Sequence, residues 1–370
     1  MQPDLEVSKL VIYRMGSLGD TVVALPCFHL IARTFPRAER VLLTNFPAHV
    51  KAPAAAAVLG DSGLVQGYMR YTSGTRHLGE MLGLAWRIRR FKPDLLIYLA
   101  DLRPWKVVRR DRLFFRLAGV RRIVGIPGEE QIKARFDAST GFFETEASRI
   151  SRQLSELGDV HAEERANWSL GLTTAERASA DANLGLLKDQ PLMVCGPGTK
   201  MQAKDWGRDN WRSLLGVLHR KYPEMGLALI GAPEEFAICE HAGGEWTGAK
   251  VNLAGRLTPR ESAAVLEHAD VFLGPDSGPM HVAASLGVPC AIAYSARGIP
   301  GAWFPFGEQH EIVYHRTSCA GCRLDTCTVE GRRCLTSITV DEMAEAVARI
   351  LDGRTSRGRT DSALTTSPGA

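Results

Sequence analysis

Two short segments decide the fold: RMGSLGD at residues 14–20 and GPDSGPMH at residues 274–281. Each follows an apolar run, Lys9–Tyr13 or Val271–Leu273, and precedes a stretch rich in alanine, valine and leucine. A strand, a glycine-containing loop and a helix in this order direct backbone N–H groups and a helix N-terminus toward an anion. One such unit in each half predicts two nucleotide-binding folds whose ligands meet in a cleft between them.

Composition limits the class of protein. The 370 residues are 45% hydrophobic and 23% charged, which is typical of a globular chain with room for two cores. No apolar run approaches the roughly 20 residues of a membrane span, and the polar N-terminus lacks a signal-peptide pattern. We therefore expect a cytoplasmic protein. The net charge of +4 is too small to indicate nucleic-acid binding.

Strand and helix patterns alternate through both halves, which predicts an α/β fold of two Rossmann-like, doubly wound domains. We expect these domains at 1–170 and 171–352, and a disordered tail at 353–370 because that segment has almost no apolar content. The first domain has predicted strands at Lys9–Arg14, Arg40–Thr44, Gly63–Tyr68, Leu95–Leu99 and Arg122–Gly125, and helices at Asp20–Thr34, Leu78–Phe91 and Val107–Leu117. The second has predicted strands at Leu192–Cys195, Gly226–Ile230, Val251–Leu253, Val271–Leu273 and Pro289–Tyr294, and helices at Trp211–Lys221, Glu235–Ala242, Pro259–His268, Gly278–Leu286 and Val340–Leu351.

The first loop offers a carboxylate, Asp20, in the first turn of a helix. Its simplest role is structural, as a capping acid that interacts with the helix dipole. A dinucleotide site is disfavoured because the Gly-x-Gly-x-x-Gly pattern is absent and the second strand ends in Thr44-Asn45 rather than an acid. An acid beside Gly19 would also repel a pyrophosphate. The loop therefore favours a general base over a phosphate site.

Two loops of the second half carry groups suited to phosphates. The segment GPGTKMQAKDW at 196–206 places a hydroxyl and two amines after a strand, and such groups can bind a diphosphate without a metal. A solvated basic turn is the alternative, which the nearby tryptophans disfavour. In the segment at 274–281, Asp276 or Ser277 could cap the following helix, and Gly278 allows a ligand to approach the N–H groups. His281 alone is typical of a core histidine, but its first-turn position favours a functional role.

These three segments together resemble glycosyltransferase family 9, the lipopolysaccharide heptosyltransferases, over about Lys9 to Leu351. The matching elements are Ile12-Tyr-Arg14-x-Gly16-x-x-Gly19-Asp20, Pro197-Gly-Thr199-x5-Lys204-x-Trp206 and Gly274-Pro-Asp276-Ser277-Gly278-Pro-x-His281. The resemblance implies a GT-B fold, in which two Rossmann-like domains face each other across a cleft. It also implies inverting transfer of heptose from an ADP-activated donor to the inner core of lipopolysaccharide.

The resemblance also implies roles for individual residues. Asp20 matches the acid proposed as general base toward the acceptor hydroxyl, and Gly16 and Gly19 lie beside it on the acceptor side. On the donor side the matched residues are Thr199, Lys200 and Lys204 for the phosphates, Glu234 or Glu235 for the ribose, Leu257 for adenine, Asp276 for the sugar, and Ser277, Gly278 and His281 for the diphosphate. No Asp-x-Asp pair occurs at either site, which predicts transfer with no required cofactor.

Twelve basic residues lie between Arg87 and Arg122, and most fit a solvated helix face. Arg103, however, follows a strand at the edge where an acceptor is expected to bind. An anionic lipid-linked saccharide, or an anionic membrane surface, would suit this region. We therefore expect peripheral contact with the inner face of the inner membrane. Nucleic acid is disfavoured because aromatic residues are sparse here.

Four cysteines fall close together as Cys319-x2-Cys322-x4-Cys327-x6-Cys334. Four thiols suffice for a tetrahedral structural metal, but the gaps differ from the usual zinc spacing, so reduced structural thiols are an equal alternative. A similar segment occurs in some heptosyltransferase relatives. We expect His310 and His315 to be surface residues, and the other four cysteines (Cys27, Cys195, Cys239 and Cys290) to be small buried side chains.

Two alternatives to heptose transfer to lipopolysaccharide stay open. One is a family member that uses another nucleotide sugar or a surface-glycan acceptor. The other is a nucleotide-sugar epimerase on the same fold.

Overall fold

A computed structural model describes residues 7–45, 54–72 and 77–364, with side chains described up to residue 353. The chain forms two compact units that divide between Thr173 and Thr174, beside the boundary predicted at residue 170. The short segment Gly301–Phe304, from the second half of the chain, also belongs to the first unit, which the sequence did not predict. The expectation that the units face each other across a cleft stays a prediction.

The first unit is built on a five-stranded parallel sheet in the order β3-β2-β1-β4-β5. Helices cover both faces of such a sheet, so β1 and β4 are almost entirely buried. The strand order reverses between β1 and β4, where a doubly wound sheet binds its ligands. The strands are β1 (Lys9–Tyr13), β2 (Glu39–Asn45), β3 (Gly67–Tyr71), β4 (Leu95–Tyr98) and β5 (Ile123–Val124).

The third strand lies later than predicted. The guanidinium of Arg40 donates to the carbonyls of Leu64 and Gly63, at 3.0 and 2.9 Å. Those carbonyls therefore accept hydrogen bonds from the Arg40 side chain, and pairing with β2 begins only at Gly67. The buried side chains of Leu64 and Val65 give the segment its strand-like pattern without ladder bonds.

Six helices accompany this sheet in the described ranges: α1 (Leu18–Val22), α2 (Leu25–Thr34), α3 (Ala55–Leu59), α4 (Leu78–Phe91), α5 (Trp105–Leu117) and α6 (Glu146–Gln153). The helix predicted over Asp20–Thr34 is split in two, since Pro26 lacks an N–H and stands at the start of α2. Leu84 and Ile88 of α4 share one core cluster with Val108 and Phe115 of α5, so both helices cover the same sheet face. A two-stranded hairpin of β6 (Phe136–Asp137) and β7 (Phe142–Phe143), like α6, was not predicted.

The second unit has a six-stranded parallel sheet in the order β10-β9-β8-β11-β12-β13, which reverses between β8 and β11. Its strands are β8 (Leu192–Cys195), β9 (Gly226–Leu229), β10 (Lys250–Asn252), β11 (Val271–Pro275), β12 (Cys290–Tyr294) and β13 (Glu311–Tyr314). Its helices are α7 (Thr174–Leu184), α8 (Arg208–Lys221), α9 (Phe236–Ala242), α10 (Pro259–Leu266), α11 (Gly278–Ser285), α12 (Arg333–Thr336) and α13 (Val340–Leu364). The predicted class, α/β with two Rossmann-like doubly wound domains, is confirmed; β13 was not predicted.

The tail differs from its prediction of disorder from residue 353, because α13 continues to Leu364. Met343, Val347 and Ile350 anchor the first turns of this helix in the core. Once a helix is nucleated, each further residue adds a hydrogen bond without a new nucleation step. Residues 365–370 lie outside the described part of the chain. Among the helices described, none is both long and apolar enough to cross a bilayer.

Candidate active site

At the reversal point of the first sheet, the buried guanidinium of Arg14 links the segments that follow β1 and β4. Arg14 follows β1 and is 1% exposed. Its Nε and Nη2 donate to the carbonyl of Asp20 at 3.2 and 2.9 Å, and its Nη1 donates to the carbonyl of Leu99 at 3.1 Å. The backbone of Asp20 is thereby fixed relative to the ends of β1 and β4.

Arg14 belongs to a buried charged group whose other members, Glu146 and Arg149, the sequence did not identify. The Glu146 carboxylate lies 3.6 Å from Arg14 Nη1 and accepts two hydrogen bonds of 2.7 Å from Arg149. Arg149 also donates to the carbonyl of Ala100 at 3.0 Å. All three charged side chains are buried. The i,i+3 spacing of Glu146 and Arg149 was the available signal, but only the fold brings Arg14 to them.

One of the two oxygens of the Asp20 carboxylate is used in local hydrogen bonds. Its Oδ2 accepts hydrogen bonds from the Ser17 backbone N–H at 2.7 Å and from Ser17 Oγ at 3.0 Å. This contact is the acidic half of a capping box at the start of α1. A Cβ at Gly16, whose φ is +133°, would overlap the Asp20 side chain, so the close approach requires glycine. Oδ1 makes no hydrogen bond with the part of the chain described, and the residue is only partly buried.

Arg103, predicted on the acceptor side, is held by partners within its own unit. Its Nη1 donates to Asp111 at 3.0 Å and to the Tyr13 hydroxyl at 3.2 Å, and its Nη2 donates to Asp101. Two carboxylates therefore offset its charge. Burial raises the pKa of Tyr13 to about 12, which keeps this hydroxyl protonated. Arg103 lies at the predicted edge of the sheet, but its hydrogen bonds hold neighbouring side chains of that edge in place.

At the reversal point of the second sheet, Lys204 and Asp276 form a pair across 72 residues of chain. Lys204 Nζ donates to the backbone carbonyl of Asp276 at 2.7 Å and lies 3.3 Å from its Oδ2. Asp276 is 5% exposed, and burial raises its pKa to about 6 against the opposing charge of Lys204. Burial, with Lys204 and His310 adding to it, lowers the pKa of His281 to about 3. At neutral pH Asp276 is therefore ionised and His281 is uncharged.

Two polar atoms at the start of α11 are buried without a hydrogen-bond partner in the described structure: Asp276 Oδ1 and Ser277 Oγ. The predicted cap is wrong, because Ser277 stands at the N-cap position but makes no side-chain capping bond, and Asp276 makes none either. A buried polar group with no partner costs about 1–3 kcal/mol. Because these atoms lie where a helix exposes its first N–H groups, they are placed to take hydroxyl and phosphate partners.

The structure distinguishes the two candidate ribose acids. Glu234 is exposed, whereas Glu235 turns back on the loop after β8, so that a Cβ at Gly198 would overlap its carboxylate. Glu235 Oε2 accepts from the Ala232 N–H at 2.7 Å. Burial raises the pKa of Glu235, and the nearby charge of Lys200 opposes that shift.

The remaining donor-side residues are less buried than Asp276 and His281. Lys200 is exposed, and Leu257 is partly buried in the loop before α10. Thr199 Oγ1 accepts from the Met201 N–H at 3.4 Å, a long hydrogen bond. The sequence missed Ser295, which follows β12 and is fully buried. Its hydroxyl donates to the carbonyl of Ala203 at 2.9 Å and so fixes the segment that carries Lys204.

The clustered cysteines are partly buried free thiols. In the ranges described, no cysteine belongs to a set of three potential metal ligands within 4.8 Å of one another. The structure therefore does not assemble the tetrahedral site, and a metal here stays a prediction. Cys327 Sγ accepts the Arg332 N–H at 3.2 Å, and backbone donors of this kind lower its pKa.

The other cysteines, Cys27, Cys195, Cys239 and Cys290, are buried as predicted. The surface assignment of His310 is wrong. Its Nδ1 accepts from the Cys290 N–H at 3.1 Å, and burial lowers its pKa. His315 is partly exposed and pairs with Glu342 at 3.0 Å.

Curated relatives of the chain are lipopolysaccharide heptosyltransferases. Lipopolysaccharide heptosyltransferase 3 of Escherichia coli is 30% identical over 108 residues, which cover 29% of this chain and 32% of that protein. The core heptosyltransferase OpsX of Haemophilus influenzae is 23% identical over 128 residues, covering 35% of this chain and 36% of that protein. These two matches thus span about a third of each relative. Lipopolysaccharide heptosyltransferase 3 of E. coli K12 is 24% identical over 287 residues, covering 75% of this chain and 80% of that protein.

Solved structures of similar fold cover nearly the whole chain. A glycosyltransferase family 9 protein of Veillonella parvula superposes with a TM-score of 0.71 at 16% identity, over 94% of this chain and 98% of that one. ADP-heptose lipopolysaccharide heptosyltransferase II of E. coli gives 0.63 at 16% identity, over 94% and 99%. At this identity the likeness establishes the fold, which is GT-B as predicted.

The model of the family described as glycosyltransferase family 9 (heptosyltransferase) matches residues 148–332, half of the chain. The match includes the loop with Lys204 and the start of α11, where Lys204 pairs with the buried Asp276. The chain therefore belongs to glycosyltransferase family 9, the heptosyltransferase family.

Proposed function

We propose that the chain is an inverting glycosyltransferase that moves a heptose from an ADP-activated donor to an acceptor of the lipopolysaccharide-core type. One observation carries this proposal: the buried, unpartnered Asp276 Oδ1 and Ser277 Oγ beside Lys204 at the start of α11. Relatives named as lipopolysaccharide heptosyltransferases support it. So does a fold neighbour solved with ADP-2-deoxy-2-fluoro heptose.

On the donor side, the proposed diphosphate binds where Gly278 and its neighbours expose N–H groups. Because His281 is uncharged at neutral pH, Lys204 and the dipole of α11 supply the positive potential. Asp276 takes sugar hydroxyls through Oδ1, and Ser277, Thr199 and Lys200 contact the phosphates. We assign the ribose to Glu235 rather than to the exposed Glu234, and adenine to Leu257.

Transfer then proceeds by a single displacement. The acceptor oxygen bonds to the anomeric carbon while the bond from that carbon to the β-phosphate oxygen breaks, and its electron pair leaves with ADP. Asp20 Oδ1 accepts the proton of the acceptor hydroxyl as the new C–O bond forms. Charge that develops on ADP is stabilised by Lys204 and the N–H groups of α11, so the chemistry requires no divalent metal. The lipid-linked acceptor implies that the enzyme works at the inner face of the inner membrane, as a peripheral protein.

Calorimetry of the full chain with ADP-, UDP- and GDP-sugars tests the donor class. We expect binding of the ADP-sugar and a large loss of that binding in Lys204→Ala. Preference for a uridine or guanosine donor would exclude ADP-heptose.

Product analysis by mass spectrometry tests the reaction class. Transfer is expected only when a lipopolysaccharide-core acceptor is present. An isomerised donor in the absence of acceptor would instead identify an epimerase.

A further inference from the structure

The outer face of α4 and α5 carries an unusual concentration of exposed apolar side chains. Nine large hydrophobic residues are exposed in the described chain, and five lie on these two helices. Leu78, Leu82 and Trp86 are spaced four residues apart and form one stripe along α4, with 75%, 62% and 59% of each exposed. Leu113 and Leu117 form a second stripe on α5, 60% and 68% exposed. Scattered surface leucines need no explanation, but two stripes on adjacent helices do.

The two stripes belong to one surface. Both helices cover the same face of the first sheet through Leu84, Ile88 and Phe115. Arg89 of α4 donates to the carbonyl of Leu117 at 3.0 Å, so the C-terminal ends of the helices meet. We call the exposed residues of α4 and α5 the α4–α5 surface.

The same surface is strongly basic. Its exposed ionisable residues include one carboxylate, Glu80, against one lysine and seven arginines: Lys106, Arg87, Arg89, Arg90, Arg109, Arg110, Arg112 and Arg116. Arg87, Arg89 and Arg116 donate to backbone carbonyls, which leave their charges uncompensated. Arg110 pairs with Asp111, and the guanidinium of Arg90 lies 5.3 Å from the Trp86 ring centre. Arginines thus surround the apolar stripes.

We infer that the α4–α5 surface docks on an anionic phospholipid bilayer. Leucine and tryptophan side chains can enter the boundary between headgroups and acyl chains, while arginines contact lipid phosphates. Long arginine stems also allow the charge to stay at headgroup level as the apolar stripe inserts. A protein partner would need matching acidic and apolar surfaces, whereas an anionic bilayer supplies both. The inference locates the peripheral contact proposed above but uses none of the transfer chemistry.

Vesicle sedimentation of the full chain tests this inference. We expect binding to mixed phosphatidylglycerol–phosphatidylcholine vesicles, weak binding to pure phosphatidylcholine, and weakening of the former by salt. Leu82→Ser with Trp86→Ser should lower the partition constant by about tenfold or more, since two inserted side chains are lost. Arg109→Gln and Arg112→Gln should each lower it by roughly fivefold.

Matched controls lie outside α4 and α5. Leu186→Ser removes an 87% exposed leucine, and Arg37→Gln and Arg220→Gln each remove an exposed arginine. These three should bind vesicles as the unaltered chain does, and every variant should retain its melting temperature. Equal binding to neutral and anionic vesicles, or unchanged binding of the Leu82/Trp86 variant, would overturn the inference. Light scattering that shows a dimer, dissociated by the Leu82/Trp86 variant, would instead identify a self-association surface.

Because vesicle binding is measured without donor or acceptor, its outcome is independent of the proposed reaction. A chain that binds bilayers but transfers no heptose would leave the docking surface intact and refute only the function.

Discussion

Among single residues, Asp20 combines a structural contact with a proposed chemical role. Its Oδ2 caps the first turn of α1 through Ser17, while Oδ1 has no hydrogen-bond partner in the described structure. The cap fixes the direction of the carboxylate, and Arg14 fixes its backbone. A carboxylate held in this way can present one oxygen to an acceptor hydroxyl without rearrangement.

Asp20→Asn separates the two roles. The amide oxygen can still accept from the Ser17 N–H, so stability should change little. The lost proton acceptor should lower the transfer rate by roughly 10²–10⁴-fold, with the donor dissociation constant unchanged. Rates and calorimetric donor binding provide the measurement.

Asp137→Asn is the matched control for that substitution. Asp137 also accepts from a serine N–H and hydroxyl, those of Ser139, but it lies on the exposed hairpin. It should transfer at the normal rate. If Asp20→Asn did the same, Asp20 would be a capping residue only.

Asp276 gives a pH prediction whose sign follows from its raised pKa of about 6. Between about pH 4 and 6 the folded protein keeps a proton that the unfolded chain has lost. This contribution to stability is present below about pH 4 and is lost as the pH rises through 6. His281 contributes with the opposite sign, because its pKa is lowered to about 3.

Urea unfolding of the unaltered chain and of Asp276→Asn between pH 4 and 7 isolates the aspartate. The His281 contribution is common to both proteins and cancels in the difference. Relative to the variant, the unaltered chain should lose on the order of 2–3 kcal/mol of unfolding free energy as the pH rises. A difference that did not vary with pH would mean that Asp276 ionises normally.

Among the elements, α6 joins the site through its first turn. Glu146 stands at its start and pairs with both Arg14, which follows β1, and Arg149, one turn further along α6. The acid thereby connects a helix to the loop that presents Asp20. Removing one member of a buried ionic group leaves a charge without compensation, which is far more costly than losing a surface pair.

Glu146→Gln should therefore lower the free energy of unfolding by on the order of 3–5 kcal/mol, measured by urea titration. Glu130→Gln is the control, since Glu130 and Lys133 have the same i,i+3 spacing but are 81% and 66% exposed at their side chains. Its stability should match that of the unaltered chain. Equal effects of the two substitutions would show that burial does not strengthen the Glu146 contacts.

On the scale of the whole molecule, the proposed donor site and the proposed general base lie in different units, each with its own core. The residues assigned to the donor lie in the second unit: most follow β8 or β11, Glu235 follows β9, and Leu257 precedes α10. Asp20 and the α4–α5 surface lie in the first. A ligand that binds one unit should therefore protect mainly that unit.

Hydrogen exchange with ADP tests this division. At about 100 times the dissociation constant, ADP should stabilise the folded state by about 2.7 kcal/mol. Slower exchange should be greatest in β8, β11 and α11, and smallest in the sheet of the first unit. Protection centred on β1 and β4 would contradict the assignment of donor residues to the second unit.

The sequence by itself determined the fold class and most elements, because strand and helix periodicities and glycine loops are local patterns. The bounds of α4 and β8 follow from their own residues. The sequence did not predict β13, whose residues are only half-buried and give a weak pattern. It also placed β3 too early, because the contact of Arg40 with the Leu64 carbonyl cannot be read from the local pattern.

Only the tertiary structure decided which groups meet and which are buried. Lys204 and Asp276 are 72 residues apart, and Arg14 and Glu146 are separated by most of the first unit. The sequence offered Asp276 or Ser277 as a helix cap, but packing at the end of β11 buries the Ser277 hydroxyl without a partner in the described structure. Contacts between distant segments, and the desolvation that shifts the pKa values of Asp276 and His281, depend on how the sheets and helices pack. A local pattern carries no information about either.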